Sequence, residues 1–301
     1  MTTTEWRAAR TAVSPGVRAI SLDAGGITLS ALLSEPTDVP PRATVVALHG
    51  GGMTAGYFDG QAHPGVSLLT LGARLGFTVL AVDRPGYGES AGTLPEGQTL
   101  AEQSATLHAA LDTFAAERHT GAGVLLLAHS YGGKLALTAA ADDTRRRLLG
   151  LDISGCGHRY AVDAEHLPTA EGHGSRSRNW GVLRLYPPDT FRASADVVAP
   201  MPARERAEAA RWAHLFEDVA PRVRVPLRLT FAEHESWWLH DEDTVADLKR
   251  RLSGSPRVLV ERLPGAGHNI SLGWAARSYH LRALAFLEEC LAAREVKGAV
   301  R

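Results

Sequence analysis

Residues 124–137 read VLLLAHSYGGKLAL. The apolar run Val124 to Leu127 suits a buried strand, and Lys134 to Ala141 suits a helix. Between them stand Ala128, His129, Ser130, Tyr131, Gly132 and Gly133. A strand that turns abruptly into a helix leaves the residue at the turn exposed above the sheet edge. The backbone is strained there, so the positions two before and two after must carry small side chains. Ala128 and Gly132 occupy those positions. Ser130 is thereby placed as a candidate nucleophile, and the backbone N–H of Tyr131 lies at the start of the following helix.

Working outward, short apolar strands alternate with helical patterns. Val17 to Leu22 and Ile27 to Leu33 flank a glycine-bearing turn and read as a hairpin. Ala43 to Leu48 reads as a strand that runs into His49-Gly50-Gly51-Gly52, and Phe77 to Val82 as a strand that runs into Asp83-Arg84-Pro85-Gly86-Tyr87-Gly88. Helices are expected over 64–75 and 98–118. A strand over 148–153 and one over 225–231 flank a region, 155–222, that breaks the rhythm. A helix over 241–252, a last strand over 256–260, a glycine-rich loop at 263–269 and a closing helix over 275–293 complete the chain. This alternation predicts an α/β fold, a mostly parallel, doubly wound sheet of about eight strands with helices on both faces.

Three motifs carry a resemblance. Ala128-His-Ser130-Tyr-Gly132 resembles the G-x-S-x-G nucleophile elbow of the α/β-hydrolase superfamily, with alanine for the first glycine. His49-Gly-Gly-Gly52 resembles its oxyanion loop, and Asp83-Arg-Pro-Gly-Tyr-Gly-Glu-Ser90 resembles its D-x-P-G-x-G-x-S turn. The resemblance implies residues 1–154 and 223–301 as the core and 155–222 as a cap inserted after strand six. It also implies the chain order nucleophile, acid, histidine. His268, in Gly265-Ala-Gly267-His268, takes the histidine's place. Glu235, in Ala232-Glu-His-Glu235, takes the acid's. Asp152, on the preceding strand, is the alternative acid, and Glu233 a further one.

A serine hydroxyl needs a base within hydrogen-bond reach, and the base needs an orienting carboxylate. Ser130, Glu235 and His268 each follow a predicted strand, so all three fall at one edge of a parallel sheet. Backbone N–H groups of Gly51 or Gly52, with that of Tyr131, are the expected oxyanion donors. His49 reads as a buried structural histidine, and Asp83 with Arg84 as knitting their own loop. Trp180, Tyr186, Trp237 and Trp238 are candidate pocket walls. Cys156 lies just beyond strand six, where inert burial is the simpler reading.

These residues point to a serine hydrolase that cleaves an ester or thioester, small or carrier-bound, through an acyl-serine. An acyltransferase or cyclase, or a carbon–carbon bond hydrolase, would use the same residues. A small-molecule receptor would keep the pocket without turnover. Aspartate replaces the serine in relatives that open epoxides or remove halide, which argues against that chemistry here.

Composition narrows the rest. The chain has 301 residues, 45% hydrophobic and 22% charged, enough for a large core without disulfide staples. Its formal net charge of -1, from 32 basic and 33 acidic residues, offers no footprint for nucleic acid or an acidic membrane. Cys156 and Cys290 form no disulfide framework, and no Cys/His spacing resembles a zinc site. No cofactor or metal is expected. The first residues lack a signal-peptide apolar core, and no apolar run approaches a membrane span, so a cytoplasmic location is expected.

Overall fold

The computed structural model describes residues 12–167 and 176–299. Eight strands form one sheet in the order β1-β2-β4-β3-β5-β6-β7-β8. They are β1 (Arg18–Asp23), β2 (Thr28–Ser34), β3 (Thr44–Leu48), β4 (Thr78–Val82), β5 (Val124–His129), β6 (Leu148–Ser154), β7 (Leu227–His234) and β8 (Val258–Gly267). β2 runs antiparallel to both β1 and β4, and every other pairing is parallel. The central strands β3, β4, β5 and β6 are buried along their whole length. Their near-continuous apolar runs are what a sheet covered on both faces requires.

The helices are α1 (Leu68–Arg74), α2 (Leu100–Glu117), α3 (Tyr131–Ala141), α4 (Arg176–Trp180), α5 (Thr190–Ala193), α6 (Ala203–Val219), α7 (Glu242–Arg251) and α8 (Ala276–Ala299). One apolar layer joins the sheet to α2, α3 and α6. The other joins its opposite face to α1 and α8. α2 opens on a capping box in which Thr99 and Glu102 satisfy each other's backbone N–H.

Three expectations shift. The helix expected over 64–75 begins only at Leu68, because the Ser67 hydroxyl accepts from Thr70 N–H and caps it there. α3 begins directly at Tyr131, with no turn between it and Ser130. β8 extends to Gly267, so most of the expected 263–269 loop is strand. The register of β7 against β8 slips between Ala232 and His234. There the Glu233 carboxylate accepts from Gly265 N–H at 2.7 Å. β8 is an edge strand, where Pro264 costs no ladder bond that the sheet needs.

The join between β5 and α3 is the tightest point of the fold. Ser130 has φ 51° and ψ −114°, outside the usual wells for a residue with a side chain. Such a conformation costs roughly 1–3 kcal/mol and persists only if the surroundings impose it. Here Ser130 N–H donates to Ser154 O at 2.8 Å, and Ser130 O accepts from Gly133 N–H at 2.9 Å. The first turn of α3 lies against the end of β3, so a Cβ on Gly132 would sit 2.6 Å from His49 O and would also collide with Leu48 O. A methyl group is therefore too much at that position.

Gly132→Ala is expected to lower stability by about 3 kcal/mol, at the upper end for overpacking. Gly92→Ala, where a new Cβ would meet nothing within 4 Å, is expected to stay within about 0.5 kcal/mol. Urea unfolding midpoints of the two variants would check this.

Candidate active site

β5, β7 and β8 end at the same edge of the sheet, and the side chains that follow them meet. His268 Nε2 lies 3.2 Å from Ser130 Oγ. His268 Nδ1 lies 2.8 Å from Glu235 Oε2 and 3.1 Å from Oε1. The Glu235 carboxylate accepts from Nδ1–H, which leaves the Nε2 lone pair facing the serine hydroxyl. Glu235 is oriented in turn by the Trp237 N–H, which donates to Oε1 at 2.9 Å. Gly155 makes room for the imidazole, since a Cβ there would stand 2.9 Å from His268 Cε1. The His129 ring packs 4.8 Å from that of His268 and stacks on Tyr57. Burial holds His129 well below its usual range, and the neighbouring His268 adds to this, so His129 is neutral packing.

The other two carboxylates lie elsewhere. Asp152 forms a buried ion pair with Arg228 at 2.6 Å and accepts from Tyr279 Oη at 2.9 Å. It faces Arg228 in the β6–β7 register and does not reach His268. Glu233 is exposed and is spent on Gly265 N–H.

The loop after β3 is held by Arg84, a fully buried guanidinium. Nε donates to His49 O at 2.9 Å and Nη2 to Gly50 O at 3.1 Å. Nη1 donates to Gln103 and to Glu205, the latter on α6. Both ion-pair side chains are fully buried. Arg84 N–H donates to His49 Nε2, and His49 Nδ1 faces Gly50 O, so His49 is a neutral structural imidazole. Burial, with Arg84 beside it, holds His49 well below its usual range. Asp83 does knit its own surroundings, accepting from Ser30 Oγ and Ala55 N–H, both at 2.6 Å. Arg84 reaches further, into the segment between β6 and β7. Gly52 is pinned twice: its N–H donates to Tyr87 Oη at 3.0 Å and its carbonyl accepts from Ala199 N–H at 2.9 Å. Gly52 is thus occupied by the protein itself, contrary to its expected part as an oxyanion donor.

A cavity of about 900 Å³ opens on Ser130, Tyr131, Gly51 and Gly52. Trp180, Trp237 and Trp238 line it. Trp237 Nε1 donates to Asn179 Oδ1 at 2.9 Å, and Trp238 Nε1 to Gly155 O at 2.7 Å, which fixes both indoles. Tyr186 is a correction. It is absent from the lining and packs behind Trp180, ring centroids 5.3 Å apart, against Gly267. Its bulk supports the wall without forming it. Leu183, Phe191, Val198 and Met201, all between β6 and β7, complete the apolar side. Cys156 is buried outside the lining, and burial pushes its thiol up to about 12. Lys134 and Tyr160 also line the cavity, and sequence reasoning missed both. The signal available was a single charge inside the otherwise uncharged helix 131–141.

Asp163, Glu165 and His166 bring possible ligand atoms within 4.8 Å of one another, but they are exposed and outside the cavity lining. Among the described residues, no helix is long and apolar enough to cross a membrane.

A mostly parallel eight-stranded sheet, covered on both faces and carrying a half-buried serine–histidine contact at its strand ends, defines an α/β-fold hydrolase. The chain belongs to the alpha/beta hydrolase family, whose profile matches residues 45–283. No curated protein matches its sequence. Among solved structures, a thermostable carboxyl esterase from Bacillus coagulans superposes with a TM-score of 0.69 at 17% identity, covering 92% of this chain and 100% of its own. A lipase in its open form gives 0.64 at 18%, covering 91% and 99%. A thioesterase domain from the curacin biosynthetic pathway gives 0.59 at 14%, covering 89% and 99%. At such identities the likeness is one of fold.

Removing one partner of a buried ion pair leaves the other charge uncompensated, at about 3–5 kcal/mol. Arg84→Met is therefore expected to lose about that much stability in urea unfolding, far more than Arg204→Met, whose pair with Glu102 is half exposed.

Proposed function

We propose that this chain is a serine hydrolase that cleaves an ester or thioester of a small molecule through an acyl-serine intermediate. The observation that carries the reading is the continuous contact Ser130 Oγ, His268 Nε2, His268 Nδ1, Glu235 at the mouth of an apolar cavity. The structural neighbours, an esterase, a lipase and a thioesterase domain, support the choice of bond.

In this reading Ser130 Oγ attacks the substrate carbonyl while His268 Nε2 takes its proton. Glu235 holds the imidazole in the required tautomer and stabilises the imidazolium. The oxyanion accepts from Tyr131 N–H and Gly51 N–H. Gly51 is favoured over Gly52 for two reasons. The Gly52 N–H is already engaged by Tyr87. Gly50 C=O points at Arg84, and because a trans peptide is planar, the Gly51 N–H in the same plane points the opposite way. Each such donor contributes roughly 3–4 kcal/mol to the lowering of the barrier. The tetrahedral intermediate collapses, His268 gives its proton to the leaving alcohol or thiol, and the acyl group remains on Ser130. Water, deprotonated by His268, then releases the acid and restores the serine. The segment between β6 and β7 acts as a cap that shapes the acyl pocket and limits the access of water.

Ser130→Ala is expected to fold normally, to lose fluorophosphonate labelling, and to lose turnover of p-nitrophenyl esters by several orders of magnitude. Glu235→Gln should lower turnover at least about a hundredfold, since the imidazole would then be held in the wrong tautomer. Asp152→Asn should act on stability instead. Absence of labelling of the native protein at Ser130, or loss of turnover only in Asp152→Asn, would overturn the proposal.

A further inference from the structure

One buried charge takes no part in the chemistry above. Lys134 lies on the first turn of α3, four residues after Ser130, and lines the same cavity while only 3% exposed. Its ammonium sits among four aromatic rings, with centroids of Tyr131, Tyr160, Trp238 and Trp212 at 5.3, 5.3, 5.4 and 5.6 Å. Nζ donates to Tyr160 Oη at 2.6 Å, and that hydroxyl donates onward to Ala209 O at 2.7 Å. Among the described residues, no carboxylate stands within 4.0 Å of Nζ. Glu205 and Glu208, on the facing helix α6, are committed to Arg84, Tyr87 and Leu100 N–H.

An ammonium has three protons to place, and the Tyr160 oxygen takes one of them. Aromatic faces attract a cation but do not replace a full counter-charge. Burial pulls Lys134 down to about 8, Arg84 adds to this, and Glu205 and Glu208 do not make up the difference. A lysine serving only to fill space would be better replaced by methionine.

We propose that Lys134 is a specificity-determining residue that receives a carboxylate on the acyl part of the substrate, so that the preferred substrates are half-esters or half-thioesters of short dicarboxylic acids. This deepens the hydrolase reading and rests on it. Lys134 lies about one helical turn beyond Ser130, which caps the start of α3, ~6 Å along the axis, and this places the carboxylate a few bonds from the reacting carbonyl. The surrounding rings hold the methylenes between them. The same rings exclude water, so the charge pair forms where it is strongest.

The test compares p-nitrophenyl hemiglutarate with p-nitrophenyl pentanoate, which has the same acyl length and no charge. Ser130→Ala supplies the background of spontaneous hydrolysis. The wild type is expected to favour the acidic ester at least about tenfold in kcat/KM, and Lys134→Met to erase that ratio. A wild-type ratio of one or below, or a ratio unchanged in Lys134→Met, overturns the proposal. Should Lys134→Met fail to fold, the wild-type ratio decides alone. If neither ester is cleaved, fluorophosphonate labelling of Ser130 decides the hydrolase reading separately, and glutarate itself decides the role of Lys134. A rise in melting temperature with glutarate in the wild type and in Ser130→Ala, missing in Lys134→Met, sustains it; no rise in the wild type ends it.

Discussion

Everything at the functional edge depends on how closely α3 can approach the end of β3. Gly132 sets that distance, since its α-carbon faces the carbonyls of Leu48 and His49 with no room for a methyl group. The approach does three things at once. It forces Ser130 into a left-handed conformation that lifts its side chain off the sheet edge. It brings the start of α3 beside the glycine loop after β3. It lays Lys134, one turn on, along the floor of the cavity. The strain at Ser130 is held by ordinary backbone hydrogen bonds to Ser154 and Gly133 on either side.

The glycine loop is shaped from the opposite side by the Arg84 guanidinium. By taking the carbonyls of His49 and Gly50, Arg84 decides which way the following N–H groups point. Its counter-charge, Glu205, belongs to α6, in the segment between β6 and β7. Tyr87 joins the same glutamate to Gly52 N–H. The helix that walls the cavity and the loop proposed to bind the oxyanion are therefore one hydrogen-bonded unit. A displacement of α6 would be felt at the loop through a charge pair that cannot be broken cheaply inside the protein.

Much of this was legible because local rules and long-range packing agree. The apolar runs that make β3, β4, β5 and β6 are continuous because the sheet is covered on both faces, and no other element class suits them. The small residues around Ser130 are demanded by the turn itself. Glu235 and His268 could be chosen because both follow strands of a parallel sheet, which deliver their successors to one edge. Where reading failed, a distant contact had overridden a local signal. Gly265 and Gly267 look like loop, but pairing with β7 draws them into β8. Tyr186 looks like a wall, yet Trp180 stands in front of it. Gly52 looks as open as Gly51 until Tyr87 occupies its N–H.

The amino-acid sequence by itself determined the alternation of strands and helices, the elbow at Ser130, and the edge at which serine, histidine and glutamate gather. Those follow from periodicity, side-chain size and the direction of parallel strands, all local or topological properties. Only the tertiary structure decided which carboxylate meets His268, which glycine N–H is taken by Tyr87, and, among the described residues, that Lys134 lines the cavity without a carboxylate within ion-pair distance. Those depend on which groups come within hydrogen-bond distance across 33 to more than 100 residues of chain, and one-dimensional spacing carries no record of such distances.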